Sequence, residues 1–169
     1  VVLPDVIVDY AACDPKKDNL ADMVATFNTS RVSQIMVEEV PHEDVDKYGV
    51  VDLEGKSLGQ GESAKIHQMV EKPPVDEAPS NLAVVGRYVL SEKIWDSLEF
   101  TPPGAGGEIQ LTDAIVTLMK EEQVDAYYMT GKSHDCGSKL GYMKANIEYA
   151  IRHKDIKDEF IAFLKDLDI

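Results

Sequence analysis

Cysteine is scarce, with only Cys13 and Cys136 in 169 residues. Two thiols so far apart make neither a zinc-ligand pattern nor a disulfide framework, which fits a reducing cytoplasm. Positive charge is short as well: 17 Lys and Arg stand against 31 Asp and Glu, a net charge of −14. A surface of that sign repels nucleic acid and anionic lipid, so neither is an expected partner. An anionic substrate would need a local basic residue or a metal ion in order to enter. No apolar run approaches the roughly 18–20 residues of a membrane span, and no signal peptide is legible. Repeats, low-complexity tracts, stripes of basic and aromatic residues, and Ser/His/Asp or Cys/His sets are all missing. Covalent catalysis is thereby set aside.

What remains is a chain with 44% hydrophobic residues and ordinary Gly and Pro content, long enough to bury the core of one domain over 1–169. Leu20, Met23, Val24 and Phe27 follow a helical rhythm behind Asp18 or Asn19 as cap. Strands are expected at 33–40, 48–53, 64–70, 81–90 and 124–129, and Ser133–Gly137 reads as a polar turn. Helices are expected from Glu92 (with Ile94, Trp95 and Leu98) and over 108–122, where Glu108 and Asp113 suit the dipole of the first turn. A C-terminal helical segment, 139–169, points Leu140, Met143, Ile147 and Ile151 inward, then Ile156, Phe160, Phe163, Leu164 and Leu167, with Asp155 as cap. Mixed strands and helices with runs apolar enough for two-sided burial indicate an α/β architecture with a mixed sheet. The opening V-V-L-P-D-V-I-V reads as a fully buried strand. Such a strand at an extreme N-terminus is unusual, and the chain is expected to be the C-terminal part of something longer.

The chemistry centres on Val70-Glu71-Lys72-Pro73. Ile66, Gln68 and Val70 alternate with Lys65, His67 and Met69 as in a half-buried strand, and Pro73 ends it. Glu71 and Lys72 are expected on opposite faces of the sheet. The carboxylate could accept from a polyhydroxylated ligand and the ammonium could meet an anion, or the two could form an exposed strand-end ion pair. Asp5, in L-P-D-V, sits where ligands of open α/β sheets gather, although a capping aspartate would read the same. Asp135, in S-H-D-C-G, is the second carboxylate. Together the two could hold one Mg²⁺ against phosphate oxygens. His134 reads as packed or solvated. Gly49 and Gly86 offer close backbone approach to a sugar ring or simple bulges, and the G-A-G-G loop from Gly104 a flexible connection rather than a phosphate cradle.

Four motifs in this order carry a resemblance: L-P-D-V at 3–6, Y-G-V-V-D at 48–52, V-E-K-P at 70–73 and S-H-D-C-G-x-K-L-G-Y at 133–142. With A-P-S-N-L-A-V-V-G-R-Y-V-L at 78–90 and T-P-P-G-A-G-G-E-I-Q-L-T-D-A-I at 101–115, the chain resembles the bacterial UTP–glucose-1-phosphate uridylyltransferases over nearly its whole length. The resemblance implies a Rossmann-like mixed sheet and in-line transfer of UMP from UTP to glucose 1-phosphate, giving UDP-glucose and pyrophosphate. A homo-oligomer is expected, since the two C-terminal amphipathic helices could pack against a partner subunit as easily as against their own sheet, and the cysteine usage suits the cytoplasm. Carried over by motif, Asp5 would ligate Mg²⁺ with Asp135 as its partner, and Glu71 and Gly49 would bind glucose. Lys72 would bind the phosphates, and Gly86 and Arg87 would line the sugar side. The family's G-x-G-T-R loop and lysine-bearing nucleotide segment have no counterpart here. This chain is therefore expected to carry the sugar and metal half of the site and to be inactive alone. A regulatory paralogue and a transferase using dTTP are the competing readings.

Overall fold

Ile35, Met36 and Val37 are consecutive and all fully buried, a pattern that suits a strand covered on both faces. They belong to β2, the strand from which the sheet spreads. The computed structural model describes residues 1–12, 16, 18–104 and 107–167. Cys13 and the Ala105–Gly106 part of the G-A-G-G loop lie outside the described residues. Strands β1 (Val6–Asp9), β2 (Ser33–Glu39), β3 (Gly49–Asp52), β4 (Ser63–Lys65), β5 (Gln68–Glu71), β6 (Leu82–Val89), β7 (Val124–Tyr128) and β8 (Lys132–Asp135) are joined by helices α1 (Asn19–Ser30), α2 (Ile94–Phe100), α3 (Leu111–Leu118), α4 (Lys139–Ala150) and α5 (Lys157–Asp166).

Six strands form a mixed sheet in the order β4-β7-β2-β6-β3-β5, with β2 parallel to β7 and antiparallel to β6. Alternation along β2 divides the core in two. Ile35 and Val37 pack with Val51, Ile115 and Leu118, while Met36 packs with Met23 of α1, Val85, Met129 and Val8. Asp18 caps α1 by accepting from the Ala21 N–H, as the sequence predicts. Strands β1 and β8 form a separate antiparallel ribbon in which Val6 faces Asp135 and Asp9 faces Lys132.

Several elements differ from expectation, each for a tertiary reason. Residues 64–70 are not one strand but two, lying on opposite edges of the sheet. The Ile66 N–H donates to Val124 O on the β7 side at 2.9 Å, and the next residue, His67, donates to Asp52 O beside β3 at 2.9 Å. The sheet has curled until two residues, Ile66 and His67, join its edges, and the switch shifts the alternation so that Ile66 and Met69 are buried and Gln68 is exposed. Ser133–Asp135 is strand, not turn, because β1 supplies a partner. Val1, Val2 and Leu3 are 38–56% exposed instead of buried, and regular strand begins only at Val6. Helix α3 starts at Leu111, so Asp113 lies in its first turn while Glu108 precedes it. Trp95 stands exposed because the short α2 turns Ile94 and Ser97 inward.

Leu140, Met143, Ile147 and Ile151 are likewise exposed, and α4 buries only Ala145. Helix α4 packs against β8, and a two-stranded ribbon is too narrow to cover its apolar stripe. Helix α5 buries none of its residues, and Ile156 rather than Asp155 occupies its N-cap. Among the described residues no helix is long and apolar enough to cross a membrane.

Two polar contacts hold the ribbon and the segment that leads into β8. Arg152 donates to Asp9 Oδ2 at 2.5 Å, and this bond holds the buried Asp9 carboxyl below the ordinary value of 3.8. A depressed native value stabilises the fold above pH 3.8, and the stabilisation is lost as pH falls through the lower native value. Arg152→Gln is therefore expected to move the acid-unfolding midpoint to higher pH in a circular dichroism titration. Asn19, fully buried, donates to Thr130 O at 3.0 Å and accepts from the Thr130 N–H at 2.8 Å. Replacing it with Ala strands both backbone groups and should cost about 2 kcal/mol in urea unfolding.

Candidate active site

The end of β5 sets the site. Glu71 lies opposite Gly49 in the antiparallel register, and the Lys72 N–H donates to Tyr48 O at 3.0 Å. Lys72 then takes a left-handed conformation, φ +45°, which costs an L-residue about 1–2 kcal/mol. That turn breaks the alternation of the strand. Instead of pointing to opposite faces, as the sequence predicts, Glu71 and Lys72 both line one cavity, with Lys72 Nζ 3.9 Å from Glu71 Oε1. The other carboxylate oxygen, Oε2, accepts from Thr112 Oγ1 at 2.5 Å. Thr112 comes from the start of α3 and is itself buried. The absence of a side chain at Gly49 makes room for this pair, since a Cβ there would meet Glu71 Oε2 at 3.2 Å and Thr112 Oγ1 at 3.4 Å.

The ribbon closes the other side. Asp5 immediately precedes β1 and Asp135 ends β8, and the Cys136 N–H donates to Asp5 O at 2.7 Å. A Cβ built on Gly137 would lie 3.1 Å from both Asp135 Oδ1 and Asp5 Oδ2, so the two carboxylates face a common point that glycine leaves free. Paired hard oxygens at such a cradle are a donor set that suits Mg²⁺. Asp135 Oδ1 also accepts from the Gly137 N–H at 3.0 Å, and Tyr48 donates to Oδ2 at 3.5 Å. Partial burial, with Asp135 beside it, pushes the Tyr48 hydroxyl up to about 12, so it stays a donor at neutral pH. Tyr88 is raised further, chiefly by burial and then by Glu71.

These groups enclose about 220 Å³, below the roughly 300–1,000 Å³ of drug-sized pockets, so the space fits part of a ligand rather than a whole one. Asp5, Gly49, Glu71, Lys72, Gly86 and Asp135 all line it. Of the residues to which the resemblance gives a site role, Arg87 alone does not. Its guanidinium turns away to backbone carbonyls. Gly86 has φ +70° and sits in an irregularity of β6, where the register against β2 shifts between Ile35 and Val37. A Cβ at Gly86 would meet the Leu3 side chain at 3.1 Å.

The nucleotidyl transferase family profile matches residues 9–151. The chain belongs to the nucleotidyl transferase family. Among its relatives in that family is the UTP–glucose-1-phosphate uridylyltransferase of Haemophilus influenzae, 56% identical over 99% of this chain and 57% of that protein. The Escherichia coli K12 enzyme of the same name is 58% identical over 98% of this chain and 54% of its own length. The solved UTP-bound UGPase from Acinetobacter baumannii superposes with a TM-score of 0.85 at 47% identity, covering 99% of this chain and 55% of that one. A UDP-glucose pyrophosphorylase complexed with UDP-glucose gives 0.79 at 38% identity, over 90% of this chain and 55% of that one. The chain thus spans a little over half the length of the relatives it matches.

Sequence reasoning passed over Thr112 and Tyr48 although both stand inside quoted motifs. Their roles depend on α3 and the turn before β3 converging on the end of β5, which no local pattern encodes. A second cluster, Asp9, His134 and Glu148, brings its ligand-type atoms within 4.8 Å of one another. Cations of the chain already serve it: Arg152 binds Asp9 and Lys132 binds Glu148 at 2.6 Å. His134 is packed there, 5% exposed, against Tyr149.

Thr112→Val keeps the shape and deletes the donor to Glu71 Oε2. It should destabilise the nucleotidyl transferase fold by about 1–3 kcal/mol in urea unfolding, with Thr112→Ser close to the unsubstituted protein.

Proposed function

We propose that this chain forms the sugar and metal side of a UTP–glucose-1-phosphate uridylyltransferase site, where glucose 1-phosphate and UTP become UDP-glucose and pyrophosphate. The observation that carries the reading is the convergence of Asp5, Asp135, Glu71, Lys72, Gly49 and Gly86 on one cavity. It is supported by uridylyltransferase relatives at 56–58% identity.

Glu71 has one oxygen occupied by Thr112 and presents the other to glucose hydroxyls, which donate to it. Gly49 brings bare backbone against the same ring, and Gly86 lines the far wall. Lys72 supplies positive charge that lets a sugar phosphate approach a surface of charge −14. Its ammonium balances charge on the phosphates without forming a bond to them. Asp5 and Asp135 would hold Mg²⁺, which when bound supplies charge neutralisation of phosphate oxygens. Phosphoryl-group chemistry of this kind needs positioning and electrostatics rather than a protein nucleophile, and no Ser/His/Asp or Cys/His set stands out in the sequence. The exposed apolar residues of α4, Leu140, Met143 and Ile147 among them, support packing against a second copy.

The test is pyrophosphate release from UTP and glucose 1-phosphate by the full-length protein. Turnover is expected, with Asp5→Asn lowering kcat by roughly a hundredfold, the scale of removing one electrostatic stabiliser. Glu71→Ala should act mainly through KM for glucose 1-phosphate. A full-length protein that is folded and releases no pyrophosphate would overturn the reading.

A further inference from the structure

We infer that Arg87 is a positioning residue for the metal-binding aspartate rather than a ligand of the sugar phosphate. The inference rests on the proposed metal role of Asp5 and adds to it the device that aims the carboxylate.

Asp5 lies on a short segment between a single bridge and the first regular strand. Before it, Val2 bridges Arg87 of β6, and the Leu3 N–H donates to Gly86 O at 2.9 Å. After it, β1 begins at Val6. The Cys136 N–H holds Asp5 O from the β8 side at 2.7 Å. Arg87 holds the same turn from the β6 side. Its Nη1 donates to Leu3 O at 2.9 Å and to Gly86 O at 3.2 Å, and its Nη2 donates to Val6 O at 2.5 Å. One planar fork therefore grips the carbonyls on both flanks of Asp5 and ties them to β6. The fixed geometry of a guanidinium makes this a rigid clamp, which a flexible ammonium would not reproduce. Among the described residues no carboxylate forms an ion pair with Arg87, and the three hydrogen bonds of its guanidinium go to backbone carbonyls. Its side chain is also absent from the cavity wall that Glu71, Lys72 and Asp135 share.

Gly86 makes the clamp possible. Its left-handed conformation throws β6 out of register just before Arg87, and its missing side chain admits Leu3. The segment 86–87 thus receives the Asp5 turn on one side while β6 keeps its place in the sheet on the other.

A positioning role and a substrate-binding role for Arg87 predict different losses. Mn²⁺ binding, followed by electron paramagnetic resonance with and without UDP-glucose, reads the metal site directly. Steady-state kinetics of the full-length protein reads KM for glucose 1-phosphate. Arg87→Gln should weaken Mn²⁺ binding roughly tenfold to a hundredfold, the usual cost of removing a group that orients a metal ligand. The KM for glucose 1-phosphate should stay within about twofold. Arg87→Lys, which preserves charge and stem, should recover part of the metal affinity and decides the matter if the Gln variant does not fold. Asp5→Asn serves as the control. If Asp5→Asn weakens Mn²⁺ binding and neither Arg87 variant does, the positioning role fails while the metal site stands. If Asp5→Asn has no effect, or the unsubstituted protein binds no Mn²⁺, the metal assignment falls and the inference falls with it. A tenfold rise in KM at unchanged Mn²⁺ affinity would return Arg87 to the substrate.

Discussion

The site depends on the pairing of β1 with β8. Asp5 and Asp135 are 130 residues apart in sequence, and the Val6–Asp135 register brings their carboxylates to the point that Gly137 leaves open. A two-stranded ribbon is marginal on its own in water, so it has to be held from outside. Val8 packs into the Met23–Met36–Met129 cluster, and Arg152 binds Asp9 at the far end. Ser133 donates to Glu38 of β2, which burial raises and this bond partly lowers. Near the site, Arg87 grips the turn that carries Asp5. The ribbon is thus a separate piece whose position is set by side chains at both ends.

Facing it, the end of β5 works by breaking a rule. Strand alternation would separate Glu71 from Lys72, and the left-handed backbone at Lys72 overrides it. Strain of this sort persists where surrounding contacts over-determine the conformation. The Lys72 N–H bond to Tyr48 O and the ring of Pro73 both constrain it. The outcome is a carboxylate and an ammonium within 3.9 Å of each other, in one cavity with the carboxylates of Asp5 and Asp135. In the proposed function these would meet the hydroxyl groups and the phosphate of one sugar phosphate.

Much of the fold class was legible because burial on both faces leaves a local mark. Ile35–Val37 announce a central strand, and Leu20, Met23, Val24 and Phe27 announce α1. What was illegible belongs to tertiary structure. The curl that sends Ile66 to one edge and His67 to the other leaves no trace in the alternation of 64–70. The stripe on α4 has helical spacing, but periodicity cannot say whether another element covers it. The candidate site residues were suggested mainly by motif resemblance. L-P-D-V and S-H-D-C-G name the two aspartates, while their approach is a property of the ribbon. Thr112 and Tyr48 reach Glu71 and Asp135 only through tertiary structure, and the donors of Arg87 meet carbonyls rather than the cavity.

The most direct test of the central claim, that Glu71 and the two aspartates form one ligand site, is calorimetric titration of UDP-glucose into the full-length protein, with Mg²⁺ and with EDTA. The account predicts binding that weakens in EDTA and weakens again, by roughly tenfold or about 1.4 kcal/mol, when Glu71 is replaced by Ala. Binding by a folded protein that is indifferent to both EDTA and Glu71→Ala would contradict it.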